Sequence, residues 1–288
     1  MNFITLTARL MLNVHDLNNE ATAGNVSDIR LIDYIGLDGK RREAPAVSGR
    51  MLKHWHQEAL TDLARRGRLP LCDNCAQGEP IRGPLADKAT EADALRSCIV
   101  CDIHGFLVAE GKRSERRASR AMFSWLLPVL DDDIETAQRQ VIHNRVSADP
   151  KSMMPFYKSY ASGIYAFVAA LDADRVGKLE SGGEAVAAED AAQRVSLAVE
   201  ACRHLLTGRL GASQSHALPH ADCLELLVAV SDDGPLPFPV SAIYPGYTHK
   251  YAGLLPQGSK LHVFGAAEPP SAAAAHASIN DLFAAVAR

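Results

Sequence analysis

Phe3-Ile4-Thr5-Leu6-Thr7-Ala8-Arg9-Leu10-Met11-Leu12 is the stretch on which the fold turns. Ile4, Leu6, Ala8, Leu10 and Leu12 fall on one side of an extended chain, and Thr5, Thr7 and Arg9 on the other. Successive side chains of a strand point to opposite faces, so this alternation predicts a half-buried β-strand. Working outward, Asp16 to Asn25 is polar and predicts a loop. Asp28 to Leu37 predicts a second strand, closed by the hairpin signal Asp38-Gly39.

Ser48 then stands as an N-cap before Met51, Leu52, Trp55, Ala59, Leu60 and Leu63, which recur at helical spacing. Gly67 and Pro70 end that helix. Leu71 to Ser97 has little periodicity and reads as an insertion, whereas Cys98 to Val108 reads as a buried strand. Met122 to Leu130 predicts another strand, with Pro128 forcing an edge position or a bulge. Asp131 to Pro155 is polar and reads as a second insertion. Phe156 to Leu171 predicts a strand, Ala187 to Thr207 a helix, Cys223 to Val230 a strand and Ser271 to Arg288 a final helix. Gly208 to His220 reads as a loop, and Asp233 to Pro245 as a long irregular stretch. The order is neither the regular strand–helix alternation of a dinucleotide-binding fold nor a repeat. It predicts an α+β fold with helices on one face of an antiparallel sheet. The whole chain, residues 1–288, is expected to form one elaborated domain with insertions at about 67–97 and 131–155.

Of the 288 residues, 47% are hydrophobic and 22% charged, which excludes a wholly disordered chain. No apolar run approaches the ~20 residues of a membrane-spanning helix, and the first residues lack the pattern of a signal peptide. A cytoplasmic protein without a membrane partner is expected. Net charge is -4, yet the basic residues are clustered: eight basic against three acidic from Lys40 to Arg68, and five against one from Gly111 to Arg120. Each run reads either as a solvated face or as part of a polyanion-binding surface.

The helix start Ser48-Gly49-Arg50-Met51-Leu52-Lys53-His54 places cations where the helix dipole favours acids. Either Arg50 and Lys53 reach into solvent, or an anion sits between them and the free backbone N–H groups, with Gly49 allowing close approach. Gly111 to Arg120 carries Arg113, Arg116, Arg117 and Arg120, and arginine suits bidentate phosphate contacts. His143-Asn144-Arg145 and the loop with Arg209, Gly211, Gln214, Ser215 and His216 offer further donors.

Two C-x-x-C pairs, Cys72/Cys75 and Cys98/Cys101, lie 22 residues apart. Four thiolates suit a structural zinc ion; the alternative is that Cys98 and Cys101 are small buried residues of a strand. Cys202 and Cys223 read as core. Neither a G-x-S-x-G elbow nor an H-E-x-x-H helix is present. His104 reads as a packed histidine.

Taken together, Val47-Ser48-Gly49-Arg50-Met51-Leu52-Lys53-His54, Cys101-Asp102-Ile103-His104-Gly105-Phe106-Leu107 and Arg117-Ala118-Ser119-Arg120-Ala121-Met122-Phe123-Ser124 resemble the DevR-like backbone subunit of type I, Cascade-like CRISPR effector complexes, within the RAMP superfamily. The resemblance runs from Asn2 to about Phe264. It implies a modified RNA-recognition-motif, ferredoxin-like core with inserted thumb and finger elements. It also implies a non-catalytic role: several copies line up along a CRISPR guide RNA and support its pairing with a target nucleic acid, beside other subunits of the complex, in antiviral defence.

By that resemblance the guide is held by Ser48, Arg50, Lys53 and His54, with Arg113 to Arg120, His143 to Arg145 and Gly211 to His216 as further RNA contacts. Type III relatives cut RNA with an aspartate in an early loop, where Asp16 lies, so a nuclease of the same superfamily or a zinc-dependent hydrolase is the alternative. Aromatic residues are only 6%, and no RNP-like aromatic pair is found. That suits a protein that grips the backbone and leaves the bases free to pair.

Overall fold

The computed structural model describes residues 1–14, 17, 26–27, 29–86, 88–110, 113–130, 137–145, 154–207 and 219–287. The elements run β1 (Phe3–Asn13), β2 (Val26–Ser27), β3 (Leu31–Ile35), β4 (Arg41–Pro45), α1 (Gly49–Gly67), α2 (Asp73–Gln77), α3 (Glu91–Ser97) and α4 (Ile99–His104). There follow β5 (Phe106–Glu110), β6 (Arg113–Arg117), β7 (Ala121–Phe123), β8 (Leu127–Pro128), β9 (Ala137–Arg145) and β10 (Met154–Asp172). The chain ends with α5 (Ala191–Leu206), β11 (Ala221–Ser231), α6 (Tyr247–Ala252), β12 (Lys260–Phe264), β13 (Ala273–His276) and α7 (Ile279–Val286).

β1 lies in the middle of the main sheet, antiparallel to β10 on one side and to β11 on the other. β12 pairs antiparallel with β11, and β13 extends the sheet in parallel. Strands β7, β8 and β9 pair antiparallel along the far side of β10, whereas β2 pairs in parallel with Tyr157 and Lys158 on the edge opposite β9, beyond the end of β1. The α+β class with a largely antiparallel sheet is therefore as the sequence implies. Leu6, Ala8, Leu10 and Leu12 share a core with Leu52, Trp55 and Leu60 of α1 and Ala198, Leu205 and Leu206 of α5.

The other face of β1 is not open to water. Thr5 and Thr7 are fully buried beneath the segment from Leu236 to Tyr251. Thr5 Oγ1 lies 2.5 Å from the Tyr251 hydroxyl, and Thr7 Oγ1 accepts from the Ala242 N–H at 2.9 Å. Alternation signals which residues are polar, but buried hydroxyls with partners are tolerated, so the pattern cannot tell a covered face from a wet one.

Four further expectations change. Cys98 to His104 is not strand: Cys98 caps α4, its Sγ accepting from the Cys101 N–H, and extended chain begins only at Phe106. Ile99, Val100 and Ile103 are buried, and a short apolar run of this kind does not distinguish strand from buried helix. The polar stretch 131–155 contains β9, paired with β10 from Ser162 to Met154. Since β1 pairs with β10 only from Asp172 back to Ser162, the two strands continue past β1 as a ribbon. The irregular stretch after Asp233 is followed by α6 and by β12, neither of which the reading contained. The alanine run at 273–276 is edge strand, and only Ile279–Val286, capped by Ser278, is helical. Tertiary pairing with β12 overrides the helix preference of alanine there.

β3 and β4 form the expected hairpin around Asp38-Gly39. Pro128 sits in a two-residue strand paired only to β10, as its missing N–H requires. α1 packs against α5 on the sheet, which brings its first turn against β7. Among the described residues, no helix is long and apolar enough to cross a membrane.

Candidate nucleic-acid interface and four-cysteine cluster

Ser48 caps α1 with its hydroxyl accepting from the Met51 N–H at 3.3 Å, and the first turn holds no acidic residue. Ser48, Gly49, Arg50 and Lys53 line an open depression of about 630 Å³, together with Arg30, Ser119, Met122, Phe123 and Trp125. Leu52, Trp55 and Leu60 point into the core instead. The helix thus splits as its sequence pattern implies.

Gly49 has a packing reason besides the one expected. A Cβ there would stand 2.6 Å from the Phe123 carbonyl oxygen and 2.8 Å from that of Ser124. The glycine lets the helix start press on the chain leaving β7, so packing by itself requires the missing side chain.

Lys53 is largely taken out of water, and desolvation together with the nearby Arg82 charge holds its pKa down to about 8. Arg82, which the sequence reading did not single out, comes from the insertion after α2. It donates to the Gly105 carbonyl at 3.2 Å and to Gln57 Oε1 of α1. Its hydrogen bonds go to neutral acceptors, so its charge is not compensated by them. Lys53 has neither a hydrogen bond nor a carboxylate partner among the described residues. Two cations held close in this way form a field that favours a bound anion. His54 is turned aside, 3.4 Å from Glu58, with its pKa raised chiefly by hydrogen bonding to that carboxylate.

Arg117 and Arg120 are buried, which removes them from any RNA-facing surface. Arg117 donates to Asp102 and, at 2.7 Å, to Glu91. It also donates to the carbonyls of Asp102, Lys178 and Arg175. Arg120 meets Glu180 at 2.6 Å. Asp102 in turn accepts from Arg194 and from the Gly177 N–H, both at 2.9 Å. Nothing in a run of arginines distinguishes an inward guanidinium from an outward one, because the carboxylates that claim it lie outside the run, on other elements. Arg113 and Arg116 lie on β6, which packs beside α3, and Arg116 is exposed. Arg116 does not line the depression. His143, Asn144 and Arg145 sit on the β9 ribbon opposite Phe156, Pro155 and Met154. Asp16, Arg209, Gly211, Gln214, Ser215 and His216 lie outside the described residues.

The four cysteines converge. Their sulfurs all lie within 4.8 Å of one another, with Cys72 and Cys75 each 3.9 Å from Cys101. Each C-x-x-C pair is built alike: Cys72 caps α2 and Cys75 lies within it, while Cys98 caps α4 and Cys101 lies within it. A tetrahedron of sulfurs at about 2.3 Å from a zinc ion has edges of about 3.8 Å. The cluster fits a metal of that kind. Cys202 and Cys223 are remote from the cluster, and both thiols are pushed up to about 12 by burial, as core residues would be.

His104 ends α4 rather than lying in a strand, and it packs against His56 of α1. His56 Nε2 is 2.9 Å from the Ala198 carbonyl, so it carries the proton; His56 Nδ1 then accepts from His104 Nε2 at 2.9 Å. Both rings are buried, and desolvation drives both pKa values down, His56 to about 4. They are neutral packing groups.

The chain matches, over residues 6–252, the family described as CRISPR-associated negative auto-regulator DevR/Csa2. It is 33% identical over 256 residues to a CRISPR-associated protein Cas7/Cst2/DevR of Thermoproteus tenax, covering 81% of this chain and 76% of that one. A Cas7/Cst2/DevR protein of Methanocaldococcus jannaschii is 29% identical over 293 residues, with 90% of each chain covered. A chain of a CRISPR RNA-guided surveillance complex shares the fold, with a TM-score of 0.61 at 16% identity over 99% of this chain and 98% of that one.

Proposed function

The chain belongs to the DevR/Csa2 family of CRISPR-associated proteins, and from that premise we propose that it is a backbone subunit that holds a guide RNA without cutting it. Copies of the chain line up along the guide, next to other subunits of a Cascade-like complex in the cytoplasm. The guide then pairs with a target nucleic acid. The core is an elaborated RNA-recognition-motif-like domain spanning the whole chain, in which the 67–97 segment and the β9–β10 ribbon are the inserted elements.

The observation that carries this reading is the depression at the start of α1, where Arg50 and Lys53 stand with no acidic residue in the first turn. Phosphodiester oxygens meet the need of those cations, and Ser48 adds a hydroxyl at the same rim. Few aromatic residues and several basic ones suit a grip on phosphate rather than on base edges. His54, Arg113, Arg116 and the His143–Arg145 segment remain candidates for the same strand of RNA.

The second part of the proposal is a structural zinc ion on Cys72, Cys75, Cys98 and Cys101. Four protein thiolates complete a tetrahedron, so such a site keeps no open position for a water nucleophile. That donor set supports a structural role and speaks against a zinc-dependent hydrolase. A nuclease reading also finds little support at His56 and His104, whose rings are sealed in the core.

The test is to purify the protein, bind it to single-stranded RNA, and follow affinity and integrity of the RNA with Mg²⁺ or Mn²⁺ present. Binding that weakens with salt by roughly −0.7 on the log–log slope for each phosphate contacted, with the RNA intact, is expected. Regular cuts that vanish in Asp16→Ala would replace the scaffold reading with a nuclease.

A further inference from the structure

Trp125 lies between β7 and β8, at the rim of the same depression as Ser48, Arg50 and Lys53. Its side chain is 40% exposed, whereas Trp55, the other of the two tryptophans, is 2% exposed in the core. Among the described residues the Trp125 indole has no ring or cation partner. Exposure alone would be ordinary for a single apolar side chain; what sets this ring apart is that it shares a depression with the cations of the α1 start.

The backbone around it is fixed on both sides. The Ser124 N–H donates to the Val168 carbonyl at 2.9 Å, and the Val168 N–H donates back to the Ser124 hydroxyl at 2.9 Å. That hydroxyl donates to the Trp125 carbonyl at 2.9 Å. On the other side Leu126 and Val47 exchange backbone hydrogen bonds of 2.9 and 3.1 Å. Val47 directly precedes the helix cap, and Gly49 presses on the Phe123 and Ser124 carbonyls. The tryptophan is therefore tied at a set distance from the cations of the α1 start, without a mobile link between them.

A basic groove with an aromatic platform is the chemistry that binds single-stranded nucleic acid, since every base offers a π-face and every linkage a phosphate. We infer that Trp125 is a base-stacking residue: it seats one nucleobase of the strand whose phosphates lie on Arg50 and Lys53. This rests on the RNA-binding reading and extends it from phosphate to base at one place per subunit. Of the two rings that line the depression, Phe123 packs against His56 and Trp125 is the exposed one, so they do not form an RNP pair; Trp125 sits beside the main sheet at the mouth of α1.

The full chain is tested with single-stranded oligoadenylate and, as a polyanion without bases, inorganic polyphosphate. Oligoadenylate is expected to quench the fluorescence of Trp125, while polyphosphate displaces the RNA without quenching. Trp125→Ala should weaken oligoadenylate binding about 5- to 100-fold, leave polyphosphate binding within twofold and keep the melting temperature. Trp125→Phe should recover most of the loss. Oligoadenylate binding that is unchanged by Trp125→Ala, or that leaves the indole emission unaltered, overturns the inference while the RNA-binding reading stands. Failure of the unmodified protein to bind any RNA overturns both.

Discussion

Arg194 of α5 and Asp102 of α4, 92 residues apart in sequence, meet through Nη1 and Oδ2 at 2.9 Å with both side chains sealed from solvent. Arg117 of β6 approaches the other oxygen of the same carboxylate. One aspartate therefore ties α4, α5 and β6 together, and through the Gly177 N–H it also fixes the turn after β10. Gly105, three residues on, adopts φ +67, and a Cβ there would stand 2.4 Å from the Arg117 carbonyl oxygen. The Cys101-Asp102 to Gly105 motif is thus a joint of the fold.

Asp102→Asn should unfold the protein or destabilise it by about 3–5 kcal/mol, because it leaves two buried guanidinium groups short of their counter-charge. Glu91→Gln, at the partly exposed end of the same network, should cost much less. Urea denaturation of both variants checks the ranking; equal effects would contradict it.

Lys53 makes RNA affinity depend on pH in a stated direction. Its pKa in the free protein is about 8, and a bound phosphate favours the charged form and raises it. Binding above that value must therefore be accompanied by proton uptake, so affinity falls as pH rises from about 8, by at most about tenfold per unit. Lys53→Arg should flatten the profile while keeping affinity at pH 7, and Lys53→Ala should lower affinity at pH 7 without lowering the melting temperature. Fluorescence anisotropy with labelled oligoadenylate from pH 7 to 9 reads all three.

The four-cysteine cluster should carry a single zinc per chain by elemental analysis of protein purified without added metal. Chelation, or Cys101→Ser, should lower the melting temperature, because metal affinity is spent on folding the two C-x-x-C turns together. Metal-free protein with four freely titrating thiols and an unchanged melting temperature would assign these cysteines to simple packing.

The His56–His104 pair predicts loss of stability in mild acid. The unfolded histidines take up protons below about pH 6.5, whereas the folded His56 does so only near 4. Its contribution is fully present above pH 6.5 and is lost as pH falls toward 4, at about 1.4 kcal/mol per unit for each ring. His54, raised by Glu58, acts in the opposite sense, so the comparison to make is the protein against its His56→Asn variant at pH 7, 6 and 5. The variant should show the shallower decline.

Local periodicity and end signals were enough to place β1, the β3–β4 turn, the Ser48 cap with its helix, and the two faces of that helix. Each depends on residues within a turn or two of one another, so each was legible in the sequence. The pairing of two C-x-x-C turns was legible too, since the spacing within each pair is local; that all four sulfurs meet was decided by α2 and α4 packing side by side. What the sequence could not decide was direction. Arg116 faces out and Arg117 faces in, one residue apart, because Asp102 and Glu91 reach Arg117 from other elements, α4 and α3. Arg82 joins Lys53, and Trp125 joins Arg50, only after α1 docks on β7 and the insertion folds back over it. The charge of a side chain is written in its letter, but its partner is set by long-range packing, and that is where the sheet and its two layers had the final say.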